Sequence, residues 1–375
     1  MGSKIPLILP FKKGEQGENK RKKVAVLPKN NKRLFWVLLL LSGGLIFSVF
    51  LACALGSVNI SLTDIFHMTL NKIALFDFPA NWRAVDETII FQIRLPRVAG
   101  AALVGAALST AGVLFQGLLR NPLADPYITG TSAGAALGAT IAMILPLNLA
   151  LLGFGLIPVA AFIGALTTVI LVYNLARVSG RAPIISMLLA GFVVSALLTA
   201  VITFLMSIGD RFGLNLRSVF SFLMGHISVT NWSQLAVVAP LIIGGIIAAR
   251  FFAFHLNAFS MGEESAAYLG IEVEKDKMTI LALGSLLTAS AVSISGLVGF
   301  VGLVMPHAIR LVLGPDHRLL IPASALAGAI FIVVADLLAS TILTPGEIPV
   351  GIITALIGAP FFLYLLRRSR REYAL

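Results

Sequence analysis

A chain of 375 residues that is 58% hydrophobic and only 12% charged, with mean hydropathy +0.96, lacks the polar surface of a soluble domain and reads as a polytopic membrane protein. Its net charge of +11 does not point to nucleic acid, because ten of the 28 Lys and Arg precede Leu34 and four follow Leu366, beside apolar runs rather than on one folded face. The single cysteine, Cys53, excludes an intrachain disulfide and a cysteine-based metal site, and reads as a small packing residue.

Residues 1–33 are polar and basic, with Lys20, Arg21, Lys22 and Lys23 in a run, and predict a cytoplasmic arm near anionic headgroups. A helix needs about 20 apolar residues to cross the hydrocarbon core, so roughly ten spans fit in the remainder. The first runs from Leu34 to Leu55, with an apolar core too long for a signal peptide. Residues 57–93 are too polar to span and predict short amphipathic pieces at the outer surface, with Trp82 at the interface. Arg94, Pro96 and Arg97 then form a charged doorstep to span 2, Val98 to Leu119. A polar turn built on Asn121, Pro122, Asp125 and Pro126 leads to span 3, Ile128 to Leu145, and the small residues on both predict close packing.

Span 4 is read as Leu151 to Val172 and span 5 as Ile184 to Met206. Residues 207–232, with Asp210, Arg211, Arg217 and Trp232, predict a short interfacial or re-entrant helix. Span 6 is Leu235 to Phe254, and a long polar stretch, 256–277, precedes span 7, Met278 to Ile294. Gly296, Gly299 and Gly302 at three-residue steps, followed by Pro306, predict a broken or kinked eighth element. Span 9 is Leu319 to Leu338, span 10 is Val350 to Leu366, and 368–375 form a tail. An even number of spans keeps both basic tails inside, with 22 Lys and Arg inside and 6 outside.

Three motifs invite chemical readings. Gly130-Thr131-Ser132-Ala133-Gly134 satisfies GxSxG, but no strand precedes it, so small-residue packing through Gly134 and Gly138 is preferred to a hydrolase elbow. His307 follows Pro306 without a second ligand, so no metal site is expected. Asp336 near the outer end of span 9 must face protein or water, and a structural partner is expected; Glu347 and Pro349 read as turn residues. No GxxxxGK followed by Ser or Thr occurs, so the chain has no phosphate cradle of its own and no catalytic residue is assigned.

Several spaced motifs, in one order, carry a family resemblance: RLPR at 94–97, RNPLADP at 120–126, GTSAG at 130–134, GLVMPHAIRLVLGPDHR at 302–318, AD at 335–336 and PGEIPVGIITALIGAPFF at 345–362. Over about residues 35–367 the chain resembles the iron-chelate and cobalamin importer permeases, the transmembrane subunits of type II ABC importers. The resemblance implies an all-α, ten-span permease in a prokaryotic cytoplasmic membrane, as a homodimer or paired with a related permease. Two ATP-binding subunits would hold ATP and Mg on the cytoplasmic side, leaving no cofactor on this chain. A periplasmic or lipid-anchored binding protein would dock outside.

It further implies that Arg94 and Arg97 meet carboxylates of that binding protein. Ser340 stands where many relatives carry another Arg, leaving Arg83 or Arg217 as substitutes. Gly262, Glu263, Ala266, Ala267, Leu269 and Gly270 match the loop that grips the ATPase: two short helices broken at Gly270, small alanines for close approach, and Leu269 as the anchor. Span 5, the segment after it, and the element containing Gly296, Gly299, Gly302 and Pro306 would line the path. The expected cargo is an iron–siderophore complex, with haem or cobalamin as alternatives; a gradient-driven secondary transporter is the reading from another class.

Overall fold

The computed structural model describes residues 30–56, 58–72, 78–79, 82–145, 153–177, 182–212, 215–344 and 346–373. The basic arm falls outside these as far as residue 29, as do the expected start of span 4 at Leu151 and the last residues of the tail. Among the described residues the chain is a bundle of α-helices without a strand.

Helix α1 (Asn30–Ala54) starts four residues before the expected span, and the amphipathic α2 (Leu62–Lys72) follows it. The short α3 (Ala84–Thr88), a π-helical turn (Ile89–Arg94) and α4 (Leu95–Leu118) then run on as one apolar rod of 35 residues. Arg94, Pro96 and Arg97 are therefore inside a helix, not a doorstep before one. The reason lies in Pro96: a proline ring clashes with the carbonyl four residues back, and a π-turn opens that step. The turn is closed by Leu95 N–H donating to Ile90 O, five residues away.

A 3-10 turn (Pro126–Thr129) leads into α5 (Thr131–Ile144); α6 (Leu156–Ala176) and α7 (Ile184–Ser207) follow. The short α8 (Leu216–Leu223) precedes α9 (Trp232–Phe251), with α10 (Ala253–Ser260) and α11 (Glu263–Tyr268) after it. The chain finishes with α12 (Val273–Ser295), α13 (Val301–Leu313), α14 (His317–Thr341) and α15 (Val350–Tyr373). Among the described residues, seven helical segments are long and apolar enough to cross a membrane, and three shorter apolar ones, on α5, α13 and α15, make up the expected ten. At 14 and 13 residues, α5 and α13 rise about 20 Å, short of the roughly 30 Å hydrocarbon core; α5 shortens the expected span 3, and α13 follows the break expected in the eighth element.

Helix α4 is the centre, buried on all sides and packed against α9, α12, α13 and α14. Glycine makes this possible. A Cβ on Gly105 would overlap the Gly328 carbonyl of α14, and one on Gly112 the Gly302 carbonyl of α13. Gly134 and Gly138 meet Gly164 and Ala160 of α6 in the same way, the small-residue contact expected at the GxSxG motif; a 3-10 turn, not a strand, leads into it.

Candidate functional site

The residues with an expected role fall in three groups, one at each end of the bundle and one between. At the end carrying α2, Arg97 is enclosed by carboxylates. Its Nε and Nη2 donate to the two oxygens of Asp336 at 3.1 and 3.0 Å, and its Nη1 and Nη2 to Glu347 at 2.9 and 3.0 Å. The planar fork suits two bidentate partners. Asp336 is 8% exposed and Glu347 40%, so the first carboxylate is the permanent partner and the second the accessible one. The Arg97 hydrogen bonds hold the Glu347 carboxyl below its usual range, and His226, 4.0 Å away, adds to this.

Arg94 points elsewhere. Its Nη1 donates to Cys53 O at 2.6 Å and Ala54 O at 3.3 Å, and its Nη2 to Val58 O, so it caps the open carbonyls that end α1. Both arginines expected to dock a partner are thus already engaged within the chain. A cavity of about 220 Å³ lies beside them, lined in part by Ser340, Thr344 and Glu347. Arg83 is held by Asp86 at 2.8 Å, whereas Arg217 has no ion pair among the described residues.

At the opposite end, α10 and α11 form a compact elbow. The break assigned to Gly270 is double: Gly262 (φ +112) separates α10 from α11, and Gly270 (φ +83) separates α11 from the long α12. Both positions are left-handed, where a side chain is strained. The two short helices are therefore α10 and α11, and the helix after Gly270 is a span. Lys277 of α12 clamps the elbow, 2.7 Å from Glu263 and 3.2 Å from Glu274. His255 lies 3.5 Å from Asp276, and Asn257 joins Asp316 at 2.7 Å while accepting from His317 N–H at 3.0 Å. Ala266 is buried in the chain's own fold rather than offered outward. Ala267 and Gly270 are exposed, as are Met261 (71%), Tyr268 (91%) and Leu269 (56%).

Between the ends lies the broken element. Gly296 packs on the Phe222 backbone and Gly302 on Pro126 and Leu108, so both permit close approach within the chain; only open space lies beside Gly299. The break ends at Phe300, whose φ is +70. Pro306 sits inside α13, where a proline leaves the carbonyl four residues back, Gly302 O, without its helical donor. Gln116 Nε2 supplies one at 3.1 Å, and Gln116 Oε1 accepts from Arg310 Nη2 at 2.9 Å. Tyr127 Oη donates to Val298 O at 3.0 Å and accepts from Val298 N–H at 3.2 Å. The turn before it is built as its residues suggest: Asn121 Oδ1 accepts from Leu123 N–H, Asp125 Oδ1 from Tyr127 N–H, Pro122 is exposed and Pro126 buried. Sequence reasoning missed Gln116, Tyr127 and Lys277. Only Gln116, a lone amide in an apolar helix, carried a visible signal.

The profile of the FecCD transport family matches residues 44–368. The cobalamin import system permease protein BtuC of Halobacterium salinarum is 46% identical over 281 residues, covering 75% of this chain and 74% of that protein. The hemin transport system permease protein HmuU of Yersinia pestis is 40% identical over 330 residues, covering 88% of this chain and 96% of its own length. Among solved structures, a chain of a metal-chelate type ABC transporter in an inward-facing conformation superposes with TM-score 0.73 at 28% identity, over 89% of this chain and 99% of that one.

Proposed function

The chain belongs to the FecCD transport family, and on that premise we propose that it carries an iron–siderophore complex across the cytoplasmic membrane, driven by two ATP-binding subunits. As a multi-pass ABC importer permease it has relatives named for cobalamin and for hemin, so those two cargoes are the alternative within the same machinery. The elbow of α10 and α11 carries the reading. It is bolted to α12 and α14 by Lys277, His255 and Asn257, yet it offers Met261, Tyr268 and Leu269 to solvent. A rigid element with an exposed apolar edge suits a groove on a moving partner, and the clamp would carry that motion into the spans.

In this reading the elbow and both termini face the cytoplasm, and the α2 end meets a binding protein outside. A second copy pairs along α7, whose Leu189, Phe192 and Leu197 are exposed. Co-expression with the ATP-binding subunits tests the reading. Leu269→Asp and Tyr268→Asp, both exposed, are expected to lower co-purified ATPase and chelate uptake at least tenfold without moving the melting temperature. Unchanged co-purification and uptake would refute the elbow's role. Flux through the chain alone in liposomes would establish a gradient-driven transporter instead. The optical spectrum of the chelate retained by the purified binding protein decides among siderophore, haem and cobalamin.

A further inference from the structure

We propose that the cavity behind α8 is a subsite for an oxyanion, a carboxylate limb of the metal chelate in transit; this deepens the importer reading and rests on it. The cavity measures about 410 Å³, and its polar wall is Asn215, Arg217, Ser218, Ser221, His226, Ser228 and Ser293. Positions 217, 218 and 221 fall on one face of α8, and Val219 on the other is buried. The polar face of this short helix borders a hollow lined also by α5, α6 and α12, and Arg217 itself is exposed.

The wall offers donors. Arg217 has no carboxylate in ion-pair distance, and the hydroxyls of Ser218 and Ser221 make no hydrogen bond, among the described residues. Ser228 and Ser293 already give their protons to Ile294 O and Ser290 O. The cavity lining holds no Asp or Glu. A cation would meet a fixed positive charge there, whereas a carboxylate can accept from the Arg217 guanidinium and from the Ser218 and Ser221 hydroxyls. Gly296 also lines the cavity, so in the importer the subsite lies at the start of the break at Gly296–Phe300.

The test uses the permease with its ATP-binding subunits in phosphatidylcholine nanodiscs, probed with radioiron ferric citrate and with a neutral ferric trihydroxamate. Ferric citrate is expected to bind more tightly. Arg217→Gln should weaken it at least tenfold and Ser221→Ala about threefold, while Arg211→Gln, on the same segment but off the cavity wall, leaves it unchanged. Equal affinity of Arg217→Gln and wild type, or equal binding of the two chelates, overturns the subsite. Phosphatidylglycerol that abolishes citrate binding through Arg217 also overturns it, assigning the wall to a lipid headgroup. If uptake with the binding protein fails while Arg217-dependent citrate binding persists, the importer reading falls and the oxyanion site stands; uptake without Arg217-dependent binding has the opposite meaning.

Discussion

Arg97 commits four of its five N–H donors to Asp336 and Glu347, and the two carboxylates are unequal. Asp336 is buried, so Asp336→Asn leaves a cation half matched in an apolar bundle and is expected to cost about 1–3 kcal/mol, read as a lower melting temperature in detergent. Glu347 has its pKa depressed by Arg97, so the stability it adds is present above the ordinary carboxylate range and is lost as pH falls through the depressed value. The melting-temperature gap between wild type and Glu347→Gln should therefore close on acidification; a constant gap would contradict the pairing. That Asp336 needs a partner is legible in the sequence, because a lone carboxylate in an apolar helix must be met. Which residue meets it is not, since Arg97 stands 239 positions away and no periodicity joins them.

Among the helices, glycine contacts separate structural from permissive positions. Gly112→Ala would drive a Cβ into the Gly302 carbonyl, so α4 and α13 must part; Gly299→Ala meets open space. The first is expected to lower the yield of monodisperse protein severely, by well over ~2 kcal/mol of stability, and the second to leave it near wild type. Comparable yields of both would dismiss the contact. Apolar run length located nearly every helix, and the glycines before Pro306 signalled the break ahead of α13, yet nothing signalled how short α5 is. Both begin in turns held by tertiary bonds, Tyr127 to Val298 and Gln116 to Gly302, that no local pattern encodes. Pro96 misled for a similar reason: a proline usually marks a helix start, and here a π-turn absorbs it.

For the molecule as a transporter, the proposed role of the elbow turns on its junction with α12. Lys277, with a side chain only 13% exposed, ties Glu263 of α11 to the foot of a span. Lys277→Met should leave the ATP-binding subunits attached, because Tyr268 and Leu269 are untouched, while chelate delivered per ATP hydrolysed falls at least threefold in proteoliposomes. An unchanged ratio would show that motion passes by another route. The order of motifs makes the family and the elbow legible in the sequence, whereas the clamp depends on Lys277 and Glu263 meeting across a glycine-broken turn, which spacing alone does not foretell.

The unbroken passage from α3 through the π-turn into α4 has a mechanical consequence. Thirty-five residues at helical rise make a strut of about 52 Å, well over the roughly 30 Å of hydrocarbon it crosses. A lean of only about 5° at one tip displaces the other by roughly 4–5 Å, since a stiff spar of that length magnifies small angles. Any slight pivoting near Gln116 on one side of the bilayer would thereby be enlarged at Ala84 on the other.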